Sequence, residues 1–96
     1  MLFLAQSHNT GDITPYLPAE TARVIELQQA GIIEMVFLKS DMSGAILLVR
    51  AADLAAARDA IESLPLVVNG LSSAEFTEVI IPEFPGTAAN LVKGIR

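Results

Sequence analysis

The chain has 96 residues, no cysteine, 52% hydrophobic residues and a formal net charge of −5. One small domain follows from the length, the missing thiols exclude disulfides and thiolate chemistry, and six scattered basic residues exclude the basic stripe that nucleic acid requires. No apolar run approaches the roughly 18 residues that span a bilayer, and residues 1–5 are too short and lack the basic flank of a signal peptide, so a cytoplasmic protein without membrane contact is expected.

Residues 2–7 read as a buried strand, ended by the loop chemistry of Asn9-Thr10-Gly11-Asp12. A helix follows. Pro18 suits its first position, Glu20 favours the positive end of its dipole, and Gly31 stops it after Ala30. Ala22, Val24, Ile25 and Leu27 make its apolar side, with Arg23 and Glu26 solvated. Residues 32–38 form the second strand and residues 40–44 a hairpin turn. Residues 45–49 are continuously apolar, as in a central strand covered on both sides. Asp53 caps a second helix in which Leu54, Ala57, Ile61 and Leu64 recur at helical spacing until Pro65 limits it. Residues 66–73 connect, turning at Asn69-Gly70, and residues 75–81 are the last strand.

Two β-α-β units in tandem, residues 1–39 and 44–81, predict an α+β, ferredoxin-like β-α-β-β-α-β domain with a four-stranded antiparallel sheet over residues 1–83. Residues 84–96 carry Phe84 and Leu91-Val92 and are expected to form an arm over another subunit.

Strand residues alternate sides. Phe3, Met35, Phe37, Leu47, Val49 and Val79 are assigned to the side that meets the helices. The opposite side then carries Leu2, Leu4, Val36, Leu38, Ile46, Leu48, Phe76 and Ile80, with Gln6, His8, Glu34, Arg50 and Glu78 among them. So large an apolar face predicts a homodimer or higher homo-oligomer packed sheet to sheet, with a cavity between the sheets.

Met1-Leu2-Phe3-Leu4, Leu17-Pro18-Ala19-Glu20, Leu27-Gln28-Gln29-Ala30-Gly31, Ala51-Ala52-Asp53-Leu54 and Leu64-Pro65-Leu66 stand here in the order and spacing of a known family. Across residues 1–83 the chain resembles the muconolactone isomerase family of the dimeric α/β-barrel superfamily. Residues 67–73 lengthen the connector relative to that family. The resemblance implies an intertwined dimer, a pocket beside each sheet, and a cofactor-free proton shift in a small lactone or organic acid.

The candidate site is built from the polar residues of the second sheet face. His8 is the only histidine, the side-chain type that titrates near neutrality, and is the candidate catalytic base; its alternative is a strand-end residue bonded to backbone. Arg50 is placed to hold a substrate carboxylate, or else to pair with Glu34 or Glu78. Glu34 and Glu78 are candidate bases on an apolar face, and Gln6 completes the set. No cluster has metal-ligand spacing and no glycine-rich phosphate loop occurs, so neither metal nor cofactor is expected. A non-catalytic binding module and a purely oligomeric structural protein are the alternative functions.

Overall fold

The computed structural model describes residues 1–83; the expected arm at residues 84–96 lies outside them. The elements are β1 (Leu2–Asn9), α1 (Leu17–Gln29), β2 (Ile33–Leu38), β3 (Ala45–Arg50), α2 (Leu54–Glu62), a single helical turn α3 (Pro65–Val68) and β4 (Ser72–Val79). The sheet order is β2-β3-β1-β4 and every neighbouring pair is antiparallel. That order, with both long helices as crossovers, is the ferredoxin-like α+β fold.

Local chemistry sets the element ends. At the end of α1, Gly31 adopts φ +77°, its N–H donates to the Gln28 carbonyl at 3.0 Å, and the Ile32 N–H donates to the Leu27 carbonyl at 2.9 Å. This paired arrangement satisfies the last carbonyls of the helix and turns the chain into β2. At the start of α2, the Asp53 carboxylate accepts from the Ala56 N–H at 2.8 Å, the N-cap expected from sequence.

The core lies between the helices and one face of the sheet. Phe3, Ala5, Leu47, Val49 and Ile33 from the strands meet Leu27 of α1 with Ala57, Ile61 and Leu64 of the α2 region. The central strands face as expected, but the edge strands do not. Met35 pairs with Leu48 and Phe37 with Ile46, so both side chains lie on the outer face. A register shift between Ile33 and Met35 leaves Glu34 as a bulge, and the extra residue inverts the alternation that sequence parity assumes. On β4 the assignment also reverses: Phe76 pairs with Ala5 on the helix side, and Val79 pairs with Leu2 on the outer side. The Phe76 ring packs on the core and carries the Arg58 guanidinium 5.0 Å from its centroid, burying more area than Val79 would.

The expected connector at residues 66–73 is shorter. Leu66 is buried, the Leu71 N–H donates to its carbonyl at 2.8 Å, and β4 starts at Ser72. Ser72 and Ser73 pair with Asn9 and His8, which extends β1 two residues past its expected end. On α1, Ala22 is exposed, while Arg23 turns toward α2 and its Nε donates to Ser63 Oγ at 3.1 Å.

The start of β3 depends on a close approach. A Cβ at Gly44 would sit 1.9 Å from the Ser7 carbonyl oxygen. Beside it, the Ser7 hydroxyl accepts from the Ala45 N–H at 2.8 Å and lies 3.3 Å from the Ala45 carbonyl, to which it donates. Gly44→Ala forces β1 and β3 apart at this point. It should cost about 2 kcal/mol or more, read as a lower urea midpoint with an unchanged slope.

Candidate functional site

A cleft of about 300 Å³ opens between α1 and the sheet. Its roof is one stripe of α1: Leu17, Glu20, Thr21, Val24 and Gln28 recur three or four residues apart and share a face. Its floor is low because Ser7, Gly44 and Ala45 are small. The inner wall is Ile61, Leu64 and Leu66. Leu27 is the only fully buried residue of α1, so the N-terminal half of the helix stands off the sheet and leaves the space unfilled. The rim is apolar and uncovered in the single chain: Ile25 is 45% exposed, Met42 50% and Leu38 66%.

Glu20 is the one ionisable side chain among the described residues that line this cleft. It is half-buried, and its Oε1 accepts from the Leu66 N–H at 2.9 Å, at the first turn of α3. Burial raises its pKa above the ordinary glutamate value, outweighing the Leu66 hydrogen bond, which acts the other way. The carboxyl group thus sits in a mostly apolar space. The neutral polar groups around it are Thr21, Gln28, Asn9 and Ser72, together with Ser7, whose hydroxyl is occupied by Ala45.

None of His8, Arg50, Glu34, Glu78 or Gln6 lines the cleft. The expected cavity lay between two sheets, over the outer face; the cleft of the single chain lies on the helix side, between α1 and the sheet. His8 is exposed, opposite Ser73 at one end of β1. Gln6 lies between Ile46 and Glu75 on the same face. Arg50 pairs with Leu2 at the other end of β1, and the steps from Leu2 to His8 span about 20 Å at ~3.3 Å per residue. Within one chain, then, His8 and Arg50 do not reach one ligand. Arg50 and Glu34 do meet: Nε donates to Oε1 at 2.6 Å, and this hydrogen bond and the glutamate's charge raise the guanidinium pKa. Glu78 pairs with Phe3, which places it toward the helix side rather than the outer face.

Glu20 was legible in sequence only as a dipole-favouring residue at a helix start. The overlooked signal is its position three residues after Leu17 and four before Val24, inside the stripe that faces the sheet.

The chain matches no protein-family model and no curated protein sequence. Among solved structures it superposes on 5-chloro-2-hydroxyhydroquinone dehydrochlorinase (TftG) from Burkholderia phenoliruptrix AC1100, in complex with 2,5-dihydroxybenzoquinone. The TM-score is 0.69 at 18% identity, covering 85% of this chain and 96% of that one. The shared property is the fold. It is the ferredoxin-like α+β layout with a four-stranded antiparallel sheet.

The raised pKa of Glu20 has a thermodynamic sign. The folded chain holds this proton more tightly than the unfolded chain, so the group's contribution to stability falls as pH rises through and above the ordinary glutamate range, about pH 4.3. Glu20→Gln removes that ionisation and keeps an oxygen to accept from Leu66. Urea unfolding should show the variant gaining stability relative to wild type between about pH 4 and about pH 7.

Proposed function

We propose that this protein is an isomerase-like enzyme that binds a small carbonyl compound, such as a lactone, under α1 and moves a proton within it through Glu20. The observation that carries the reading is a lone carboxyl group, half-buried in an apolar cleft, with its pKa raised by desolvation. A base for proton abstraction beside a carbonyl works best when its pKa is lifted toward the working pH. In the step, the Glu20 carboxylate takes a proton from the carbon next to the carbonyl. The C–H bond breaks, an O–H bond forms on Glu20, and the electron pair passes into an enolate. The same carboxyl group then returns the proton to another carbon of the conjugated system. No atom is gained or lost and no oxidant or second reactant enters. The fold match supports an enzymatic use of this architecture, since TftG is a dehydrochlorinase whose structure holds a small hydroxylated ring.

The hydrogen bond from the Leu66 N–H to Glu20 favours a second reading, a binding module in which this carboxylate ties α1 to α3. Glu20→Gln separates the two, because the amide keeps the acceptor and loses the base. Turnover of butenolide-type lactones, followed by ultraviolet absorption, should fall at least ~100-fold in the variant while its melting temperature does not fall below that of wild type. Undiminished turnover in the variant would remove Glu20 from the chemistry.

We further infer that two copies pack through their outer sheet faces. Leu2, Leu4, Ile46, Leu48 and Val79 are half-buried there, and Met35 and Phe37 are 49% and 54% exposed in the single chain. A continuous apolar face of this kind is the mark of an interface. Leu48 sits at its middle, paired with Leu4 and Met35. Leu48→Asp should convert a dimer to monomer or unfolded chain in light scattering at micromolar concentration; a wild-type monomer there would refute the pairing.

A further inference from the structure

We infer that the cleft under α1 selects uncharged ring compounds bearing hydroxyl or carbonyl groups and rejects carboxylates. This rests on the reading of that cleft as the ligand site, and it departs from the organic-acid class expected from sequence. The first ground is charge. No lysine, arginine or histidine among the described residues lines the cleft, and its one ionisable group is a carboxyl. An entering carboxylate would lose its water, meet no counter-ion and face Glu20 across a low-dielectric space.

The second ground is that the three described arginines are engaged elsewhere. Arg50 is bonded to Glu34 at 2.6 Å on the outer side. Arg23 binds Ser63 Oγ at 3.1 Å and lies 3.9 Å from Glu26. Arg58 covers Phe76 in a separate, smaller cleft beyond Ile61 and Val67. Lys39 is in the β2–β3 hairpin, where its charge helps Ser43's hydrogen bonds hold Asp41 below the usual carboxylate range. The rim itself is Ile25, Leu38 and Met42.

The third ground is what remains to greet a ligand. Thr21, Gln28, Asn9 and Ser72 are neutral groups that match hydroxyls and carbonyls. Glu20, with its raised pKa, donates a hydrogen bond when protonated and accepts one from a hydroxyl when ionised. A volume of about 300 Å³ is at the small end of ligand sites and suits one or two rings.

The test uses the full chain and three ligands of nearly one shape: benzyl alcohol, benzoate and benzylammonium. Each is titrated at neutral pH and followed by methyl NMR shifts, with Val24 and Leu47 reporting the cleft and Leu48 the outer face. Benzyl alcohol should shift the cleft methyls and bind at least ~10-fold more tightly than benzoate. Glu20→Gln should narrow that gap by at least about threefold. In the wild type, lowering the pH should narrow it in the same direction, because a carboxyl whose pKa is raised by burial takes up its proton ahead of an ordinary carboxylate. Benzoate binding as tightly as the alcohol, or benzylammonium binding most tightly of the three, overturns the inference and leaves the cleft as a ligand site. A gap that neither Glu20→Gln nor lower pH narrows overturns the role given to Glu20 in the selection. No cleft shifts with any ligand, or shifts confined to Leu48, overturn the proposed function itself.

Discussion

The domain depends on β1 being paired along both edges. Its residues Leu2 to Gln6 are matched by β3 on one side, and Leu2 to Asn9 by β4 on the other. An interior strand must satisfy its backbone groups in both directions, and this one joins the two halves of the chain in doing so. Ala5 is fully enclosed, and its small side chain lets Leu47 and Phe76 close over it from the flanking strands. The same strand runs on through Ser7 and Asn9 into the cleft. One continuous hydrogen-bonded ladder therefore carries both the core and the floor of the site, and the Gly44 contact fixes where one gives way to the other.

The order of strands and helices was legible because apolar runs and stop signals coincide. Gly31, Asp53 and Pro65 each mark a boundary by a backbone requirement that no tertiary contact overrides. The facing of the central strands was legible too, since Phe3 and Val49 leave little choice. The edge strands were not. Residues 33–38 are apolar throughout apart from Glu34, so no polar alternation fixes their facing, and a bulge changes parity without leaving a trace in composition. Ser72 and Ser73 have little strand propensity of their own and are strand residues because β1 continues opposite them.

The site was harder still. His8 and Arg50 attract notice by their chemistry, yet their chemistry does not place them, and the register puts them at opposite ends of β1. Glu20 has ordinary chemistry and an unusual position. Its character comes from half-burial under α1 and from a hydrogen bond to Leu66, 46 residues away in sequence. Both depend on tertiary packing, which explains why a local reading assigns it to the helix dipole alone.

The Glu34 bulge also bears on how this chain coexists with its neighbours in a crowded solution. β2 is an edge strand, and the row of unpaired amide and carbonyl groups on such an edge is a template for fibrillar growth. A bulge bends the strand and breaks the regular repeat that an incoming strand would need, and the Arg50–Glu34 pair places two charges at the same spot. The opposite edge, β4, carries Glu75 and Glu78. Among the described residues, both borders of the sheet thus carry charges that oppose open-ended aggregation.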